Sequence, residues 1–305
     1  MNLLSIIVEK NVEELQRQLS KQIESFKNEE IEIDENVTYH ESFYTLEYSV
    51  KIESVKNYPI SDFINIFKYC AANGLFEYIK LYEEPPLIQK LIDYDYYYFS
   101  AKERIEIQNI IKADLKSQSD RMKDANDEVH HRKFATIQKM MEHFKTSSQI
   151  NLKGFITFRL KDYILELQEM IERAVEDFLM NKEYNEFIKL LKYFVDIQEA
   201  KIDTVHILFE EDSKYKLYDQ YGNLVNNEYL RLVATEMVDK DINYEDLLIS
   251  SLITIAPNQV FIHKISNLNN VEIIKTISRV FVNKVKVCDS CDWCKVKVKV
   301  NVEKE

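Results

Sequence analysis

Between Asn151 and Gln198, apolar side chains recur at the spacing that lines one face of a helix. Leu160, Tyr163, Ile164, Leu167, Met170, Ile171, Ala174, Val175, Phe178 and Leu179 form a first stripe. Tyr184, Phe187, Ile188, Leu191, Phe194 and Val195 form a second. Polar residues separate the two, which predicts a pair of helices joined by a turn. The short apolar run Phe155–Phe158 ahead of them reads as a strand. The opposite face of the first helix carries Glu166, Glu169, Glu172, Arg173, Glu176 and Asp177, with Glu169 and Arg173 at i,i+4 spacing. Helices of this kind are not stable alone, so both stripes are expected in a core.

Residues 1–55 predict a small α/β unit. A strand at Leu4–Val8 is followed by a helix that Asn11 can cap, with Glu13 and Glu14 in its first turn. Val12, Leu15, Leu19, Ile23 and Phe26 mark its apolar stripe. Ile31–Asp34 and Phe43–Ile52 alternate as strands do, giving a three-stranded sheet with one helix.

Residues 56–150 predict helices. Pro85-Pro86 interrupts the helical pattern. Lys102–Thr146 reads as one long helix whose apolar content falls between Lys116 and Lys133. Ile111, Leu115, Met122 and Val129 nevertheless keep a roughly heptad line, so an arm for a protein partner or a second copy is the functional alternative to a solvated linker. His130, His131 and His143 in this stretch read as solvated. The aromatic run Tyr94–Phe99 suits packing or an interface, because the basic neighbours of a base-stacking platform are missing.

The C-terminal segment, 151–305, changes period after Gln198. Thr204–Glu210 and Lys214–Asp219 predict strands, with a turn at Tyr221-Gly222-Asn223. Glu228–Asp239 and Tyr244–Ile255 predict helices, the second stopped by Ala256-Pro257. A strand at Gln259–Ile265, a helix at Val271–Val282 and a strand at Lys284–Val287 follow. So short a connection through a helix suits a βαβ crossover, with its two strands parallel and adjacent. The expected fold is therefore α+β and helix-dominated: a small N-terminal α/β unit, central helices, and a C-terminal mixed sheet whose βαβ unit ends in a cysteine cluster.

Composition narrows the function. The 305 residues carry a formal net charge of −12, which argues against nucleic acid and anionic membranes as general partners. No apolar run approaches the roughly 20 residues of a membrane span, and the N-terminus lacks the basic start of a signal peptide. A cytoplasmic location with reduced cysteines is the expectation. With 3 Gly, at Gly74, Gly154 and Gly222, no phosphate-binding loop can be assembled. No G-x-S-x-G elbow occurs. Arg159 is expected to pair with Asp162, Glu166 or Asp196.

The chemistry worth following lies at the end of the last strand. Cys288, Cys291 and Cys294 form C-x2-C-x2-C, three of the chain's 4 cysteines. Thiolates at this spacing can turn back onto one ion, as in zinc knuckles. The site falls beyond the carboxyl end of a parallel strand, where α/β sheets place ligands. A tetrahedral Zn²⁺ needs a fourth donor, for which His263 and Cys70 are candidates. Reduced thiols or thiol chemistry and an iron–sulfur cluster remain as alternatives. The tail Lys295–Val300 alternates strictly and reads as a lysine-guarded edge strand.

Three stretches carry a family likeness: Gly154–Leu160, Glu186–Gln198, and Val287-Cys288 with Cys291 and Cys294. Together they resemble the YtxC family of sporulation proteins, best over about residues 150 to 294. The resemblance implies a cellular process and brings no catalytic residues. Two functions follow as expectations. One is a non-enzymatic sporulation protein that engages protein partners or a second copy of itself, with a structural metal site. The other is a metal- or thiol-dependent enzyme using the cysteine cluster.

Overall fold

The computed structural model describes residues 1–120, 128–209, 215–225, 244–263, 271–288 and 291, apart from the side chains of 117–120 and 128–130. The chain is a helix-dominated α+β protein with two small mixed sheets. It divides into two compact units, Met1–Leu179 and Met180–Glu305. No described helix is long and apolar enough to cross a membrane.

In the first unit, β1 (Asn2–Val8) is the central strand, with Leu3, Leu4, Ile6 and Val8 buried. It pairs antiparallel with β3 (Phe43–Val50), which pairs antiparallel with β2 (Ile33–His40). A fourth strand, β4 (Gln149–Asn151), adds parallel to β1 and gives the order β2-β3-β1-β4. The expected three-stranded sheet is thus completed from far along the chain. Between β1 and β2, α1 (Val12–Asn28) buries Val12, Leu15, Leu19, Ile23 and Phe26, the stripe its spacing predicts. Asn11 stands at its N-cap in the left-handed region, but its side chain makes no capping bond.

Helix α2 (Ile60–Tyr78) packs on α1. At Gly74 an added Cβ would lie 2.9 Å from Leu19 Cδ2 and 3.1 Å from Leu19 Cα, so the two helices approach closely there. Pro85-Pro86 does not end the helical path. A π-helical turn at Ile79–Glu83 follows α2, and both prolines sit in the first turn of α3 (Glu84–Asp95). A proline's missing N–H has no intrahelical partner to lose in that position.

Of the stretch Lys102–Thr146, expected as one long helix, residues 121–127 lie outside the described residues, and the rest is helical, as α4 (Ala101–Asp120) and α5 (Glu128–Thr146). Helix α4 meets α3 through Arg104 Nε to Asp93 Oδ1, 3.0 Å. Helix α5 meets α2 through Lys133 Nζ to Glu77 Oε1, 2.9 Å, and through the buried Lys68, which donates to the Phe144 carbonyl at 2.8 Å. His143 is not simply solvated, since its Nε2 lies 2.9 Å from the Gln149 carbonyl.

Around residue 160 the structure differs from three expectations. Phe155–Phe158 is helical, within α6 (Leu152–Arg159). Asn151 decides this: its Oδ1 accepts from the Gly154 N–H at 2.8 Å, capping the helix where a strand was expected. The pair of helices is one, α7 (Lys161–Ile197). Neither Gly nor Pro interrupts it at 180–183, so no local cost stops the helix. Most of the first stripe is buried, from Leu160 and Tyr163 through Phe178, with Ile164 half-buried and Leu179 exposed. Of the second stripe only Ile188 and Val195 are buried, while Phe187 and Phe194 are exposed. Asp162 pairs with Lys139 and Glu166 with Arg132, rather than with Arg159.

The second unit contains a sheet in the order β6-β5-β7-β8: β5 (Ile202–Phe209), β6 (Tyr215–Asp219), β7 (Pro257–His263) and β8 (Val285–Val287). Strands β5 and β6 form an antiparallel hairpin, and β5, β7 and β8 run parallel. Helix α8 (Tyr244–Ile255) leads into β7 through Ala256, which adopts a positive φ of 47°. Helix α9 (Val271–Val280) connects β7 to β8 and completes the expected βαβ crossover. Val205, Ile207, Val260 and Ile262 cover one sheet face and pack with Leu252 of α8, Ile277 of α9 and Ile188 of α7. The helix expected at Glu228–Asp239 and the tail Lys295–Val300 lie outside the described residues.

Candidate metal centre

Alternation along the parallel strands sorts their side chains. Val260 and Ile262 of β7 face the core, which sends Phe261 and His263 to the other face. In β5, Val205 and Ile207 face the core and His206 takes the opposite face. The register pairs His206 with Phe261 and Leu208 with His263. His206 and His263 are therefore diagonal neighbours on one face, within reach of each other.

His263 is the last residue of β7, and Cys288 follows directly on β8. The Cys288 N–H donates to the Ile262 carbonyl at 2.9 Å, which extends the β7–β8 pairing by one bond and holds the start of the cysteine run against the end of β7. Ligand atoms of His263, Cys288 and Cys291 all lie within 4.8 Å of one another. Cys291 Sγ is 3.4 Å from His263 Nδ1. Donors around a tetrahedral Zn²⁺ with mixed sulfur and nitrogen ligands stand about 3.6 Å apart. Two thiols and an imidazole at this spacing fit one face of such a tetrahedron.

The electrostatics suit a neutral imidazole. His263 is 2 % exposed. Burial, and then the neighbouring His206, push its pKa down to about 4. At neutral pH it carries no charge, which is the form that binds metal. Burial also lowers His206, with the Asp219 carboxylate acting in the opposite sense. His206 Nδ1 lies 2.9 Å from His263 Nε2, and the His206 ring stacks on Phe261 with centroids 5.3 Å apart. Lys286 Nζ lies over that Phe261 ring at 5.3 Å.

Of the residues singled out by spacing, the fold brings together Cys288, Cys291 and His263. Cys294 lies outside the described residues. Cys70 belongs to α2 in the first unit, half-buried against that unit's apolar core, and burial raises its thiol pKa. His206 escaped the sequence reading. The only signal was a histidine on the non-core side of an alternating strand, and its meaning depends on the parallel pairing of β5 with β7.

A relative from Bacillus subtilis (strain 168), "Uncharacterized protein YtxC", is 28% identical over 137 residues, 45% of this chain and 47% of the relative. The match thus spans about half the length of that relative. No solved structure matches the chain. The model of the YtxC-like family matches residues 69–286, a stretch that holds His206 and His263 and ends just before Cys288. The match covers well over half of the chain, in keeping with the likeness read from Gly154–Leu160 and Glu186–Gln198, and on it the chain belongs to the YtxC-like family.

Proposed function

We propose that the chain is a non-catalytic sporulation protein of the cytoplasm whose second unit is locked by a structural zinc ion. His263, Cys288 and Cys291 supply three donors, and Cys294 is the candidate for the fourth by its spacing. The observation that carries this reading is the convergence of a His263 ring nitrogen, Cys288 Sγ and Cys291 Sγ within 4.8 Å of one another at the carboxyl ends of two parallel strands. A metal there ties β7 to the end of β8 and adds its binding free energy to folding. The sporulation role rests on the family resemblance. An interaction role is supported by Tyr94 in the last turn of α3 and Tyr97 and Tyr98 in the connection to α4, which are 80%, 75% and 64% exposed. Tyrosine combines apolar area with a polar tip and is enriched at protein interfaces.

A thiol-dependent enzyme is the second reading, favoured by the 3.4 Å contact between Cys291 Sγ and His263 Nδ1. A Cys–His nucleophile needs the imidazole to take the thiol proton. An imidazole held near 4 is a weak acceptor for that proton, which favours the structural role. Metal analysis with thiol titration of the reduced protein separates the two. Structural zinc predicts one Zn²⁺ per chain, slow alkylation of Cys291, and a lowered melting temperature on chelation. Metal-free protein with a rapidly alkylated Cys291 thiolate supports the enzyme.

A further inference from the structure

We propose that His206 is a positioning residue of the metal centre: its bare Nδ1 accepts the Nε2 proton of His263 and so keeps the His263 Nδ1 lone pair aimed at the site. This rests on the zinc reading above and adds a residue to it.

Both ring nitrogens of His263 have a neighbour. Nε2 lies 2.9 Å from His206 Nδ1, and Nδ1 lies 3.4 Å from Cys291 Sγ. A neutral imidazole carries one N–H, so only two proton arrangements are open to the histidine pair. In the first, His206 donates from Nδ1 to His263 Nε2. The His263 proton then sits on Nδ1, pointing at the sulfur, and that nitrogen cannot bind metal. In the second, His263 donates from Nε2 to His206 Nδ1. His263 Nδ1 then carries a lone pair in place of a proton, and His206 keeps its proton on Nε2. Metal binding through Nδ1 is compatible only with the second.

The geometry suits a strong, directed bond. The His206 and His263 ring centroids are 5.2 Å apart, their planes 28° from parallel, with the facing nitrogens 2.9 Å apart. The hydrogen bond therefore lies close to both ring planes. His206 is itself held in place, stacked on Phe261 with planes 23° apart and fixed by the β5–β7 register. Histidines that bind metals commonly donate their second N–H to an acceptor that sets tautomer and ring orientation, and losing that acceptor weakens binding about 10- to 100-fold.

The test is cobalt(II) titration of the reduced full-length chain, read through the thiolate-to-cobalt absorption. The wild type is expected to take up one equivalent. His206→Phe preserves a ring on Phe261 but removes the acceptor, and is expected to weaken Co²⁺ binding about 10- to 100-fold with altered d–d bands. His206→Asn places Oδ1 near the lost Nδ1 and is expected to restore much of the affinity and the native spectrum. Unchanged affinity and bands in His206→Phe, beside a wild type that binds, overturn the role of His206 and leave the zinc reading standing. No uptake by the wild type overturns both. Long-range ¹H–¹⁵N NMR of the zinc-loaded wild type needs no variant: a proton on His263 Nε2 is expected, and a proton on Nδ1 contradicts the proposal.

Discussion

The Tyr163 hydroxyl donates to the Glu84 carboxylate in the interior of the first unit, joining α7 to α3. Burial and the Glu84 charge push the Tyr163 pKa far up, so the phenol stays a donor. Arg132 completes the group. Its guanidinium lies 3.8 Å from Glu84 through Nη1, 3.0 Å from Glu166 through Nε, and 5.5 Å from the Tyr163 ring centre. Arg132 and Glu84 are both buried, so removing Arg132 takes the cation away from a buried carboxylate.

Arg132→Met is accordingly expected to cost about 3 kcal/mol or more, because it strands a buried carboxylate. Adding Glu84→Leu together with Tyr163→Phe, so that no buried hydroxyl loses its acceptor, should recover much of the loss, since apolar groups of similar volume are often as stable as a buried ion pair. Urea unfolding followed by circular dichroism measures both. A loss under about 1 kcal/mol in Arg132→Met, the value of an exposed pair, contradicts the buried network.

The continuity of α7 is tested at residue 182. In a turn between two helices, proline at this position is tolerable. Within one helix it removes an i→i−4 bond and clashes with the preceding turn, at a cost of about 3 kcal/mol. Lys182→Pro is therefore expected to lower stability by that amount and to reduce far-ultraviolet helicity. A stability within about 0.5 kcal/mol of wild type restores the turn.

Glu83 gives a pH dependence with a definite sign. Burial is the leading cause that raises its pKa above the ordinary 4.5, with Lys10 opposing. The folded state holds this proton more tightly than the unfolded state. Its contribution to stability is fully present below pH 4.5 and is lost as pH rises through the elevated folded value. Glu83→Gln, which cannot ionise, should therefore gain stability relative to wild type as pH rises from 4 towards 7. A difference between the two that stays constant across that range contradicts the assignment.

What the sequence revealed, and what it hid, has a common physical basis. The α1 stripe and the β7–α9–β8 crossover follow from local period and short connections, and both were readable. The middle of α7 reads as a turn because Asn181–Glu183 is polar, yet this stretch contains neither Gly nor Pro to break the helix. Phe155–Phe158 has no clear period, and a single side-chain bond from Asn151 decides its conformation. Strand β4 is three residues long and pairs with Ser5–Ile7, a contact no local pattern encodes. The candidate centre divides the same way. Cys288 and Cys291 stand out by spacing, and His263 by its place beside the crossover. His206 joins them only through the register of β5 on β7, which depends on how distant segments pair.

The most direct measurement is the zinc content and chelator response of the full chain, purified reduced, beside its Cys288→Ser and His263→Ala variants. The account predicts one tightly held Zn²⁺ per chain in the wild type, much weaker binding in both variants, and a fall in melting temperature when a strong chelator strips the metal. A wild type that carries no zinc, takes up none when it is supplied, and melts at the same temperature with and without chelator contradicts it.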